Sequence, residues 1–177
     1  MQIKAVLYDQ TSQTIDGNSV NFKITDVSGE NKYDILSKTG DTIYYRLRKN
    51  APMGDWNLSA ESEGLSSQTT FYVGEHEEAE FLMINDTLLI RNVGNIAYDN
   101  MVEIKIGDNY TEVKNLNLSV GSSVEFVLSA PDGEYIVKIN DGQKEFENTG
   151  VALTGEVISI HDARGSFGLL NKTYIDN

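Results

Sequence analysis

Apolar and polar residues alternate one for one along most of this chain, and that period of two restricts its fold more than any other feature. Successive side chains of a strand point to opposite faces, so alternation sets one hydrocarbon face against a core and one polar face against water. A helix would need a period near 3.6. In NSVNFKITD the inward set is Val20, Phe22 and Ile24, and in DTIYYRLR it is Ile43, Tyr45 and Leu47. DWNLSA gives Trp56, Leu58 and Ala60, and TTFYVG gives Phe71 and Val73. Farther on, MVEIKIG offers Val102, Ile104 and Ile106, SSVEFVLS offers Val124, Phe126 and Leu128, and GEYIVKIN offers Tyr135, Val137 and Ile139. Helical periodicity is almost absent. The expected fold class is all-β, as two tandem Ig-like β-sandwiches, because short alternating runs bounded by Gly, Asp, Asn and Ser are the pattern of such sandwiches.

The acidic stretch GEHEEAE, residues 74–80, interrupts the rhythm, which restarts in AEFLMI and DTLLIRN. One module is therefore expected over 1–75 and a second over 76–160, followed by a tail, 161–177, that lacks clean alternation. Asp16-Gly17, Asp132-Gly133 and Asp141-Gly142 tolerate positive φ and suit hairpins or corners. The segment IRNVGNIAYDN sets Gly94 between Asn92 and Asn95, between two strands, and a chain reversal accounts for it without a ligand.

Composition narrows the chemistry. Fourteen basic residues against 27 acidic ones give a net charge of −13, which repels phosphate backbones and anionic lipid, so no nucleic-acid partner is expected. With no cysteine, the chain has no disulfide, thiolate nucleophile, zinc ribbon or iron–sulfur cluster. No apolar run approaches the ~20 residues of a membrane span, and Lys4 inside the first apolar run marks the start as a strand rather than a signal peptide.

The two histidines, His76 and His161, both fall at junctions, away from any Gly-x-Ser-x-Gly elbow. A Ser-His-Asp set meets only in space, but these positions favour solvated side chains, so no catalytic residue and no cofactor site is assigned. Glu75, Glu77, Glu78 and Glu80 could supply oxygen ligands to calcium at the module joint, yet no Asp-x-Asp-x-Asp-Gly loop accompanies them, and no metal site is assigned. Five Asn-x-Ser/Thr acceptors, Asn57, Asn85, Asn109, Asn117 and Asn171, are the glycosylation candidates. Sixteen Asn and 26 Ser plus Thr in 177 residues would give roughly two or three by chance. Tyr8, Tyr44, Tyr72, Tyr98 and Tyr110 fall on or near outward positions, where they serve cross-strand pairing or stack on sugar rings.

The stretch NAPMGDWNLSAESEGLSSQTTFYVGE resembles the closing half of macroglobulin-type Ig-like modules through Pro52, Gly54, Trp56, Gly64, Phe71 and Val73. The stretches LLIRNVGNIAYDN and LNLSVGSSVEFVLSAPDGEYIVKI resemble the cell-adhesion-related (CARDB-like) repeat of prokaryotic surface proteins. With LTGEVISI and SFGLLNK, the whole is similar to ectodomains of single-pass archaeal envelope proteins. That resemblance implies an extracellular or envelope location, membrane attachment only through an anchor not present in this chain, and no enzymatic activity; macroglobulin thioester chemistry would need a Cys. The expected function is a cell-surface structural or adhesive ectodomain acting as a stalk or protein-interaction module, with a protein or envelope component as partner. A carbohydrate-binding module, with a glycan as partner, and a subunit of an extracellular assembly that uses its tail as a pairing strand are the alternatives.

Overall fold

The computed structural model describes residues 1–29 and 31–163, with backbone only at Asn31 and Lys32. The chain is all-β and forms two compact units, Met1–His76 and a second from Glu77 on. Among the described residues no helix is long and apolar enough to cross a membrane.

The first unit contains β1 (Gln2–Lys4), β2 (Leu7–Tyr8), β3 (Thr14–Ile15), β4 (Ser19–Thr25), β5 (Asn31–Lys38), β6 (Thr42–Tyr44), β7 (Gly54–Ser62) and β8 (Leu65–Val73). One layer is a four-stranded antiparallel sheet in the order β5-β4-β7-β8, and the short pairs β1-β6 and β2-β3 supply the rest. Period-two alternation dictates which residues meet. Val20, Phe22 and Ile24 from β4 and Trp56 from β7 are buried together with Ile3 and Ala51, and Ile43, Tyr45, Leu47, Leu58, Ala60, Phe71 and Val73 pack against them. The Pro-x-Gly-x-Trp stretch has a local cause: Trp56 Nε1 donates to the Pro52 carbonyl at 2.8 Å. Gly54 adopts φ 121°, and a Cβ there would lie 2.5 Å from Val27 Cγ1, so only glycine lets the strand enter past Val27.

The second unit contains β9 (Ala79–Ile84), β10 (Thr87–Asn92), β11 (Tyr98–Ile106), β12 (Tyr110–Leu118), β13 (Ser123–Ser129), β14 (Gly133–Asn140), β15 (Glu145–Leu153) and β16 (Ser159–Asp162). Two four-stranded antiparallel sheets, β16-β13-β10-β9 and β12-β11-β14-β15, form a sandwich over one core. Leu88 and Ile90, Val102, Ile104 and Ile106, Val124, Phe126 and Leu128, and Val137 and Ile139 are all buried in it. The last strand includes His161 and Asp162, held by pairing with Phe126 and Val127. The remainder of the segment expected as a tail, 164–177, lies outside the described residues, as does Asn171.

At each open side of this sandwich one lysine spans the gap between the sheets. Lys114 on β12 sits 5.3 Å over the Phe126 ring and donates to the Ile160 carbonyl at 3.4 Å. Lys144, just before β15, sits 5.2 Å over the Phe81 ring and donates to the Ala79 carbonyl. Each stem covers apolar surface while the ammonium reaches the rim, so the core is sealed where strands run out. Lys144→Ala is expected to cost about 1–2 kcal/mol in urea unfolding, because it removes both the stem packing and the cation–ring contact. Lys144→Met should recover part of that loss.

Candidate functional site

Four polar or charged side chains are buried among the described residues: Asp26, Thr39, Asn92 and Asp141. Each sits at a turn. Asn92 ends β10, and its Nδ2 donates to the carbonyls of Ile96 and Leu118, both at 2.8 Å, while its Oδ1 accepts from the Gly94 amide at 2.9 Å. The Asn-Val-Gly-Asn corner is therefore closed by its own first residue and tied to the end of β12. Asp141 accepts from the amides of Gln143 and Lys144 through Oδ1, at 3.0 and 2.8 Å, and from the Tyr98 hydroxyl through Oδ2 at 2.9 Å. Burial first, and then the bond to this carboxylate, push the Tyr98 hydroxyl far above its ordinary pKa, so it stays a donor. Thr39 donates to the Ile15 carbonyl at 2.8 Å and accepts from the Asn18 amide at 3.1 Å, and Asp26 accepts from the amide and hydroxyl of Ser28.

A group of titratable side chains lies where β12 and β16 border the second sandwich. Glu112 accepts from Lys114 and, at 2.7 Å, from the Tyr110 hydroxyl. Beside it, His161 Nε2 lies 2.9 Å from Ser159 Oγ, which lies 2.7 Å from Ser129 Oγ. Ser159 and His161 are two residues apart on one strand, so the pleat alone puts them on one face. The Lys114 bond is the main cause that holds the Glu112 carboxyl below the ordinary carboxylate range, with Tyr110 and the fields of Lys114 and His161 adding to it against desolvation. A folded pKa below the unfolded one gives stability that is present above the unfolded value and lost as pH falls through the folded one. Glu112→Gln should therefore lower stability by roughly 0.5–1 kcal/mol at pH 7, in keeping with a partly solvated pair. Urea titrations of the two proteins should converge as pH falls below the folded-state pKa of Glu112, where the carboxyl is protonated in both states.

The other residues singled out from the sequence disperse. His76 is exposed, Glu77 accepts from the Asp99 amide at 2.9 Å, Glu78 lies 3.8 Å from Lys144, and Glu80 faces outward on β9. Among the described residues no three His, Asp or Glu side chains converge to hold a metal ion. Asn85 stands exposed at the tip of the β9–β10 hairpin at φ 56°, Asn109 is exposed in the turn after β11, and Asn117 is exposed on β12. Asn57 is half-buried between Thr25 and Thr70, and its Oδ1 finds no hydrogen-bond partner among the described residues. Tyr98, expected on an outward position, is instead 1% exposed, because its hydroxyl reaches Asp141 through the core. Tyr110 is half-buried on Glu112. Tyr8, Tyr44 and Tyr72 are exposed but belong to three different sheets, so no single sheet face lines them up.

The first unit carries a groove of about 360 Å³ between β1 and β8. Ile3, Phe22, Leu58 and Ala60 floor it, and Lys4 and Gln68 are on its walls. It exists because the short pairs β1-β6 and β2-β3 do not cover the whole four-stranded sheet: the inward positions Ser67 and Thr69 on β8, opposite Ala60 and Leu58, remain exposed. Ser67 and Thr69, polar at inward phase, are the sequence signal for this uncovered strip, and a strand counted only from Thr69 leaves Ser67 out.

Comparisons with protein-family models, with curated proteins and with solved structures found no match to this chain.

Proposed function

We propose that this chain is a non-enzymatic structural or adhesive ectodomain of a prokaryotic, archaeal-type cell envelope, acting as a stalk or protein-interaction module. The observation that carries it is the placement of the buried polar groups: Asp26, Asn92 and Asp141 each bind the backbone of their own turn, and Thr39 binds the backbone of the Ile15–Asn18 turn. Groups poised for chemistry keep donors and acceptors aimed at a pocket, whereas these are directed at rigidifying corners between strands. The net charge of −13 and the exposed acceptors Asn85, Asn109 and Asn117 suit a soluble, glycan-compatible surface outside the cell.

Expressed from its own gene, the protein should be cleaved by protease added to intact cells and should carry glycan mass on at least one of these three asparagines. Protection from protease until the cells are lysed, with an unmodified mass, would overturn the envelope assignment.

A further inference from the structure

Among the described residues, the first unit has one long strand edge free of the charge, proline, bulge and shortness by which sheet edges avoid one another. β8 closes the β5-β4-β7-β8 sheet, runs nine residues as LSSQTTFYV, and pairs with β7 without a register shift. It contains no charged residue and no proline. Every other edge of the three four-stranded sheets is charged: Asp34 and Lys38 on β5, Glu80 on β9, Glu112 and Lys114 on β12, Glu145 and Glu147 on β15, and Asp162 on β16. Natural sheets blunt exposed edges with charge, proline, bulges or short length, since unpaired N–H and C=O groups template another strand. β8 has none of these. Two large apolar side chains on it also face water, Leu65 at 59% and Tyr72 at 67% exposure.

We infer that β8 is a self-association edge, and that two copies of this chain join through antiparallel β8–β8 pairing into one eight-stranded sheet. The occupant is a second copy because the strand complements itself. Pairing centred on Thr69 sets Leu65 opposite the partner's Val73, Ser66 opposite the partner's Tyr72, Ser67 opposite the partner's Phe71 and Gln68 opposite the partner's Thr70. Inward positions then meet inward positions, as the pleat requires, and both exposed apolar residues gain a neighbour. Copies that each carry −13 repel one another over most of their surface. A neutral strand is where two of them approach without opposing like charges, and a two-fold contact of one patch with itself is the commonest way soluble chains associate. The groove beside β8 leaves its inward side open, so the second strand meets no covering layer there. This inference stands apart from the envelope assignment and holds for the chain wherever it resides.

The test is sedimentation equilibrium of the full chain up to roughly 1 mM, the range of weak strand-pair contacts, with Thr69→Lys and Thr69→Cys. The wild type should populate a dimer. Thr69→Lys, which opposes two like charges on the two-fold axis, should weaken it at least tenfold while far-UV CD and thermal unfolding show a folded protein. The chain has no cysteine of its own, so Thr69→Cys gives a single thiol that a short bismaleimide should link into covalent dimer, whereas Asp34→Cys on the charged edge should stay monomeric. A wild type that is monomeric throughout, a dimer indifferent to Thr69→Lys, or linkage at Asp34→Cys but not at Thr69→Cys would each overturn the proposal.

Discussion

Trp56→Ala is expected to destabilise the first unit by about 3–5 kcal/mol, as truncation of a buried tryptophan does when the surroundings cannot collapse into the space. Trp56 is only 2% exposed, and among the described residues it is the largest member of a core with five other buried apolar residues, so little remains to refill its site. Its ring centroid lies 6.1 Å from that of Phe71, and its indole N–H holds the Pro52 carbonyl, so the loop entering β7 loses its anchor as well. Small domains are stable by about 5–15 kcal/mol, and this loss is a large share of the lower end of that range, where a unit whose second layer is made of short strand pairs is expected to lie. Trp56→Phe isolates the polar part: it keeps most of the burial and removes the donor, and should cost about 1–2 kcal/mol. Trp56 is the single tryptophan, so its fluorescence reports the first unit's unfolding directly in the wild type, and NMR peak loss reports it in the variants.

Asn92→Ala is expected to cost about 2–4 kcal/mol, because it strips a donor from two carbonyls and an acceptor from one amide in a buried corner. The Gly94 amide keeps a second acceptor, the Glu78 carbonyl at 3.1 Å, so the carbonyls of Ile96 and Leu118 carry most of the penalty. Asn92→Asp should be at least as harmful, since it turns the donor into a carboxylate facing both carbonyls. Urea unfolding of the three proteins measures the difference. A corner built to receive a ligand would tolerate both changes with stability unaltered.

Period-two alternation made the all-β class and most of the core legible, because β4, β7, β11, β13 and β14 lie inside sheets and carry apolar residues at most inward positions, Ser62 and Asn100 being polar exceptions. It failed at the edges, for identifiable reasons. β12 places Glu112 and Lys114 at inward phase, where Lys114 covers Phe126 and both charges reach the rim, so the strand does not look half-apolar. Along β15 the register shifts opposite Tyr135 and Val137: Phe146 and Asn148 share one phase, Val151 and Leu153 the other, and a strict count of two loses the strand between them. Tyr98 was misplaced because alternation reports which face a residue is on only when its strand's phase is known, and its partner Asp141 is 43 residues away in sequence. Of the candidate site, the Asn-Val-Gly-Asn corner was legible as a turn from its composition. The uncovered edge of β8 was not, since edge status follows from sheet order and sheet order is set by contacts remote in sequence.

Asp26, Thr39, Asn92 and Asp141 lock corners of this protein rather than wait for a ligand, and native-state hydrogen exchange tests this most directly at the amides of Asn18, Gly94 and Lys144. These donate to Thr39, Asn92 and Asp141. They should exchange as slowly as amides in the adjoining strands, opening only with unfolding of the unit that holds them. Exchange at the rate of unprotected loop amides would contradict the account.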